Sequence, residues 1–95
     1  MRVDIRKSTR TNKKMMAIFY DNDKKVKTIH FGDTNYSDYT KHKDESRKKL
    51  YIDRHRNSED WKNPMTAGTC ALYILWNKAT ISASIADFKK RFNLS

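Results

Sequence analysis

The chain has one cysteine, one proline and two glycines among its 95 residues, and about half as many acids as bases. A lone thiol excludes an internal disulfide and suits a reducing compartment. That residue, Cys70, lies in "TCALYILW", where a buried thiol acting as a small hydrophobe is the expected role. With so little glycine and proline, long loops are few. No Gly-rich phosphate loop is present, no serine stands in a GxSxG elbow, and neither HExxH nor a paired CxxC occurs. The longest apolar run, "CALYILW", falls far short of the ~20 residues that span a bilayer. "MRVDIRKSTR" has no apolar stretch, so no cleaved leader is expected. Together these absences predict a soluble, intracellular protein that is neither secreted nor membrane-inserted.

What the chain does have is charge. Charged residues make up 34%, hydrophobic residues 37% and aromatic residues 12%. The apolar residues cluster instead of thinning out, which predicts one folded domain over residues 1–95 with a small core and a wet surface. The formal net charge is +10, and it is uneven: residues 1–56 carry sixteen Lys/Arg against eight Asp/Glu, residues 57–95 five against three. The first half carries the field and the second half the core. A small body with that excess attracts polyanions.

Periodicity sets out the fold. "VDIRKST" alternates Val3 and Ile5 with Asp4 and Arg6, the pattern of a half-buried strand. "MMAIFY" and "VKTIHF" follow as second and third strands, separated by the turns "RTNKK" and "DNDK" and ending at Gly32. Val26 is out of phase with Ile29 and Phe31, which predicts a bulge or a shortened third strand. A helix capped by Ser37 or Thr40 and reaching about Arg56 comes next, with Asp44 and Glu45 placed to pair with Lys48 and Lys49. Asn63 as cap and Pro64 at the first helical position open a second helix that is apolar nearly all round. Gly68 within it implies close approach of the sheet or another helix. Thr80 caps a third helix whose Ile81, Ile85, Phe88 and Phe92 form one stripe, with Lys89, Lys90 and Arg91 complementing the dipole in its last turn. The expected fold class is α+β: a three-stranded antiparallel meander followed by three helices, the two C-terminal helices packing on the sheet.

The stretch "HFGDTNYSDYTKHKDESRKKLYIDRHR", with "WKNPMTAG" and "LWNKAT", resembles a family of short basic proteins encoded by nucleocytoplasmic large DNA viruses, the giant viruses. The resemblance runs from about Met16 to Phe92, and "NPMTAG" and "LWNKAT" are its most specific pieces. It implies a viral setting and no catalytic residue. The chain departs from that pattern after Gly68, where a bulkier, more aromatic start to the helix is expected than "TCALYI", and it lacks the proline expected after Lys78. Both departures touch packing.

No catalytic residue, metal ligand or cofactor is expected. His42, Asp44, Glu45, Asp53 and His55 are ingredients of a metal or nuclease site, but on one unbroken helix His42 and His55 stand about 20 Å apart. His30, near the end of the third strand, is expected to make an ordinary hydrogen bond. The cations carry more weight: Arg10, Lys13 and Lys14 at the first turn, Lys25 and Lys27 on one face of the third strand, and Arg47, Lys48 and Arg54 on the first helix. If sheet and helix adjoin, these form one continuous strip. The expected function is a non-enzymatic accessory protein that binds DNA or RNA through phosphate contacts, with little sequence preference. Tyr20, Tyr36, Tyr39 and Tyr51 are available to stack on unpaired bases. The alternative is a structural or adaptor protein of the virion or viral factory that meets a viral protein partner through Trp61, Tyr73 and Trp76. A small hydrolase or nuclease centred on His42, Asp44 and Glu45 ranks last.

Overall fold

A computed structural model of the chain describes all 95 residues. Three strands form an antiparallel meander in the order β1–β2–β3: β1 (Arg2–Lys7), β2 (Lys13–Asp21) and β3 (Lys24–Asp33). The register pairs Val3 with Phe19, Ile5 with Ala17 and Met15 with Phe31, so one face collects the apolar side chains. The irregularity expected near Val26 is present. Phe19 pairs with Lys27 and Tyr20 with Lys25, leaving Val26 as the extra, exposed residue of a bulge. Beyond the sheet come α1 (Tyr39–His42), α2 (Glu45–His55), α3 (Ala67–Cys70), a π-helical turn (Ala71–Leu75) that continues α3, and α4 (Ile81–Arg91). The fold is α+β, as the periodicity predicts.

The core lies between the sheet and the C-terminal helices. Val3, Ala17, Phe19 and Phe31 from the strands meet Cys70, Ile74, Leu75 and Phe88, all buried. Ile81, Ile85 and Phe92 pack against this group, so the whole stripe of α4 faces inward. Phe88 and Phe92 lie 5.1 Å apart, and Tyr73 meets Phe92 edge-on at 5.7 Å. Cys70 is fully buried and donates to the Pro64 carbonyl, and burial pushes its thiol up to about 12. Asn77 ties the helical layer together: its side chain donates to Asp87 on α4 (2.6 Å), while its backbone oxygen accepts from Lys48 on α2 (2.7 Å). Ser95 bonds Val3 and Met1 through the backbone alongside β1. No helix is long and apolar enough to cross a membrane.

Several local expectations need correction. The first helix is two. Lys43 adopts a left-handed conformation (φ 54°) and Asp44 restarts the chain as the N-cap of α2, accepting from the Ser46 and Arg47 amides. Asp38, rather than Ser37 or Thr40, caps α1. An aspartate that accepts from amides two and three residues onward satisfies donors that a continuous helix leaves to its neighbours. Asp44 and Glu45 do not pair with Lys48 and Lys49, because Asp44 is occupied as a cap and Glu45 accepts from the Tyr39 hydroxyl (2.6 Å). The central helix starts later than expected. Asn63 accepts from the Met65 amide in a turn containing Pro64, and the cap is Thr66, whose hydroxyl accepts from the Thr69 amide. Thr80 caps α4 as predicted.

The two glycines differ in what they tolerate. Gly32 has φ 81°, and a Cβ there would stand 2.6 Å from Leu75 Cδ1 and 3.3 Å from Lys14 Cβ. At Gly68 the obstacle is the carboxylate end of Glu59, neither the sheet nor a helix, and that end can swing away. Gly32→Ala is therefore expected to destabilise the fold by about 1–3 kcal/mol through strain and overpacking. Gly68→Ala should be near neutral, because about 1 kcal/mol of helix propensity offsets moving Glu59. Urea midpoints of the two variants check the contrast, and an equal loss in both would contradict it.

Candidate nucleic-acid interface

The site starts from one buried carboxylate. Asp38, only 1% exposed, accepts from Lys14 Nζ at 2.6 Å, from the Thr40 amide at 3.0 Å and from the Thr40 hydroxyl. Burial alone would raise its pKa, but the hydrogen bonds from Lys14 and Thr40 and the ammonium charge outweigh it and hold Asp38 below its ordinary 3.8. The bond joins β2 to the start of α1. Two cavities open on either side of this pair, with Lys14, Asp38 and Leu75 in the walls of both.

The first cavity, about 580 Å³, lies between the end of β3, the loop after it, α2 and the π-helical turn. Arg47 and Arg54 line it beside Lys14, together with the rings of Tyr36, Tyr51, His55 and Trp76. Tyr51 and Trp76 are stacked nearly parallel, with centroids 4.3 Å apart and planes at 5°. His55 lies 4.4 Å beyond Tyr51, and His42 lies 5.3 Å beyond Trp76. Burial, then the Glu59 charge, pushes the Tyr51 hydroxyl up to about 12, so it stays a neutral ring at working pH.

The second cavity, about 790 Å³, sits under the β1–β2 turn and reaches α1 and the start of α4. Lys7, Arg10, Lys13, Lys14 and Lys41 line it against one carboxylate, Asp38. Hydroxyls of Ser8, Thr9, Thr11, Thr34 and Thr40 fill the remaining polar lining.

Five of the eight cations singled out from sequence thus gather at two adjoining cavities: Arg10, Lys13, Lys14, Arg47 and Arg54. The others behave differently. Lys48 turns inward, donating to the Asn77 carbonyl and lying 4.7 Å over the Tyr39 ring. Lys25 and Lys27 are exposed at the far hairpin, and the bulge gives them partners on opposite faces of β2, Tyr20 and Phe19, so they do not share one face. From the Lys13 level of β2 to the Tyr20 level is seven residues, about 23 Å of strand at 3.3 Å each. The cations form a cluster and an outlying pair, not one continuous strip. Lys14 itself is spent on Asp38.

Lys7 and Lys41 were missed. Lys7 follows from the register, since it pairs with Met15 beside the turn. Lys41 carries no local signal, because its position depends on the short α1 ending at the left-handed Lys43.

The remaining ingredients of a catalytic centre are engaged elsewhere. His42 Nδ1 accepts from the Asp44 amide at 3.0 Å, Asp44 caps α2, and Glu45 holds Tyr39. The helix break does bring His42 and His55 to one ring column, closer in arrangement than a straight helix allows, but Tyr51 and Trp76 stand between them. No group of three or more His, Cys, Asp or Glu side chains stands ready to hold a metal ion. His30 shares a 2.7 Å hydrogen bond with Ser8 across the sheet. Trp61, Tyr73 and Trp76 are half-buried rather than presented. Tyr73 is used by Phe92 and by Arg91, 4.3 Å over its ring. The exposed large apolar residues are Met1, Val26, Tyr36 and Leu50.

The chain belongs to a family of unknown function, DUF5754, whose model matches residues 3–55. The match takes in the sheet, α1, α2 and every cation of both cavities, whereas Trp76 and the rest of the π-helical wall lie beyond it. No curated protein and no solved structure matches the chain.

The buried pair has a testable pH signature. A carboxyl held below its unfolded value contributes stability that is complete above about pH 4 and is lost as pH falls through the folded value. Urea midpoints should therefore drop as pH goes from 5 to 2, and drop less steeply in Asp38→Asn. Lys14→Met, which leaves Asp38 buried without its partner, should cost about 3 kcal/mol or more at pH 7.

Proposed function

We propose that the protein is a non-enzymatic viral accessory protein that binds nucleic acid through phosphate contacts with little sequence preference. The observation that carries this reading is the charge around the two cavities. Of 21 lysines and arginines, only Arg2, Arg6, Lys14, Arg56 and Arg91 lie within ion-pair distance of a carboxylate. Arg10, Lys13, Lys7 and Lys41 on one side of the Lys14–Asp38 wall, and Arg47 and Arg54 on the other, are cations without such a partner, set around two adjoining cavities whose linings add only one further carboxylate, Asp33. Each phosphate that they neutralise releases condensed counterions, so affinity arises from salt exchange and not from base edges. The resemblance to short basic proteins of large DNA viruses supplies the setting.

Electrophoretic shift of a labelled duplex across a salt series tests the reading. Binding at low salt that weakens steeply toward physiological salt is expected. No shift at low salt, or a shift indifferent to salt, would reject it. Arg47→Ala combined with Arg54→Ala should weaken binding alike on unrelated sequences and lower the slope of log affinity against log salt by about two.

A further inference from the structure

Among the rings lining the first cavity, Tyr36 is the one without an internal use. Tyr51 and Trp76 stack on each other and are flanked by His55 and His42. Tyr36 is 71% exposed and has no ring or cation against it. Leu50, also exposed, lines the same cavity. Apolar surface left in water beside a concavity is surface that a ligand can cover with gain. Arg47 and Arg54 stand in the same lining without carboxylate partners. Their planar forks match phosphate, while the exposed ring suits a flat heterocycle. A base carrying its phosphate meets both requirements.

Duplex meets only one of them, because its bases are stacked on each other and paired; a base enters a pocket only when unpaired or extruded at a cost. The neighbouring cavity continues the positive lining past the Lys14–Asp38 wall with cations and hydroxyls but no aromatic ring. It suits backbone phosphates and offers nothing to stack on.

We propose that the ligand is single-stranded nucleic acid, with one unpaired base set against Tyr36 in the first cavity and the adjoining backbone running along Arg47 and Arg54 toward the Lys7, Arg10, Lys13 and Lys41 cavity. This rests on the phosphate-binding reading above and adds a base contact that a duplex does not supply. The protein then marks exposed single strands without reading their sequence, since every base has a stacking face.

Fluorescence anisotropy of the full chain with three labelled probes tests it: an oligothymidylate, an abasic strand of the same length, and a duplex. The thymidylate should bind about tenfold tighter than the abasic strand, the value of one stacked base, and tighter than the duplex. Tyr36→Ala should remove the gap between thymidylate and abasic strands while leaving the abasic affinity unchanged, and Tyr36→Phe should keep the gap. Tyr36 lies outside the core, so neither variant threatens folding. Equal affinity for thymidylate and abasic strands, with salt dependence intact, overturns the base contact and spares the phosphate reading. Thymidine monophosphate binding tighter than the strand also overturns it, since the cavity would then be a mononucleotide site. Failure to bind any probe removes both readings together.

Discussion

Everything on the cationic side of this molecule is arranged around the carboxylate of Asp38. A charge taken out of water has to be matched in place, by an opposite charge and by hydrogen bonds that fill its lone pairs. Asp38 meets that demand from two directions, with Lys14 reaching from β2 and Thr40 from the first turn of α1. The consequence is geometric more than energetic. A paired buried charge adds little net stability compared with apolar residues of the same shape, but it tolerates few alternative positions. It therefore fixes where α1 leaves the sheet, and with it the partition between a ring-lined cavity and a hydroxyl-lined one.

The break at Lys43 is the second determinant. A continuous helix from the end of β3 to Arg56 would carry His42 and His55 far apart and leave Tyr39 and Glu45 on unrelated turns. With Lys43 left-handed, Tyr39 bonds Glu45, Lys48 lies over Tyr39, and His42 and Tyr51 close on Trp76 from its two sides. The ring column gives α2 an anchor that its own sequence hardly supplies, since no residue of that helix is fully buried. Trp76, placed by the π-helical turn, thus does for α2 what an apolar stripe does for α4. The same packing consumes charge: Lys14 and Lys48 are both cations by sequence, and neither is free to meet a polyanion.

The legible parts of this chain were those where one residue's neighbours in sequence are also its neighbours in effect. Val3, Ile5 and the later strands announce their pairing by alternation, the misplaced Val26 announces its bulge, and Ile81, Ile85, Phe88 and Phe92 announce the face of α4. The helix bounds were less legible because several caps compete locally. Ser37, Asp38 and Thr40 can each accept from an amide, and the winner was the one that also meets Lys14, twenty-four residues earlier. Asn63–Pro64 reads as a helix start, yet the chain uses it as a turn because Thr66 bonds both the Thr69 amide and its hydroxyl.

The α+β class, the three-stranded meander, the apolar stripe of α4 and the excess of cations in the first half of the chain are written into the residue order. These depend on periodicity and composition, which act over a few residues at a time. Which cations remain available, and which rings stand beside them, follows from how distant segments pack. Tyr36 comes from the loop after β3, Arg47 and Arg54 from α2, and Trp76 from the end of the π-helical turn, so their meeting depends on where the core docks those segments. Charge is counted along a chain, but whether a lysine faces water or a buried carboxylate is settled by long-range packing.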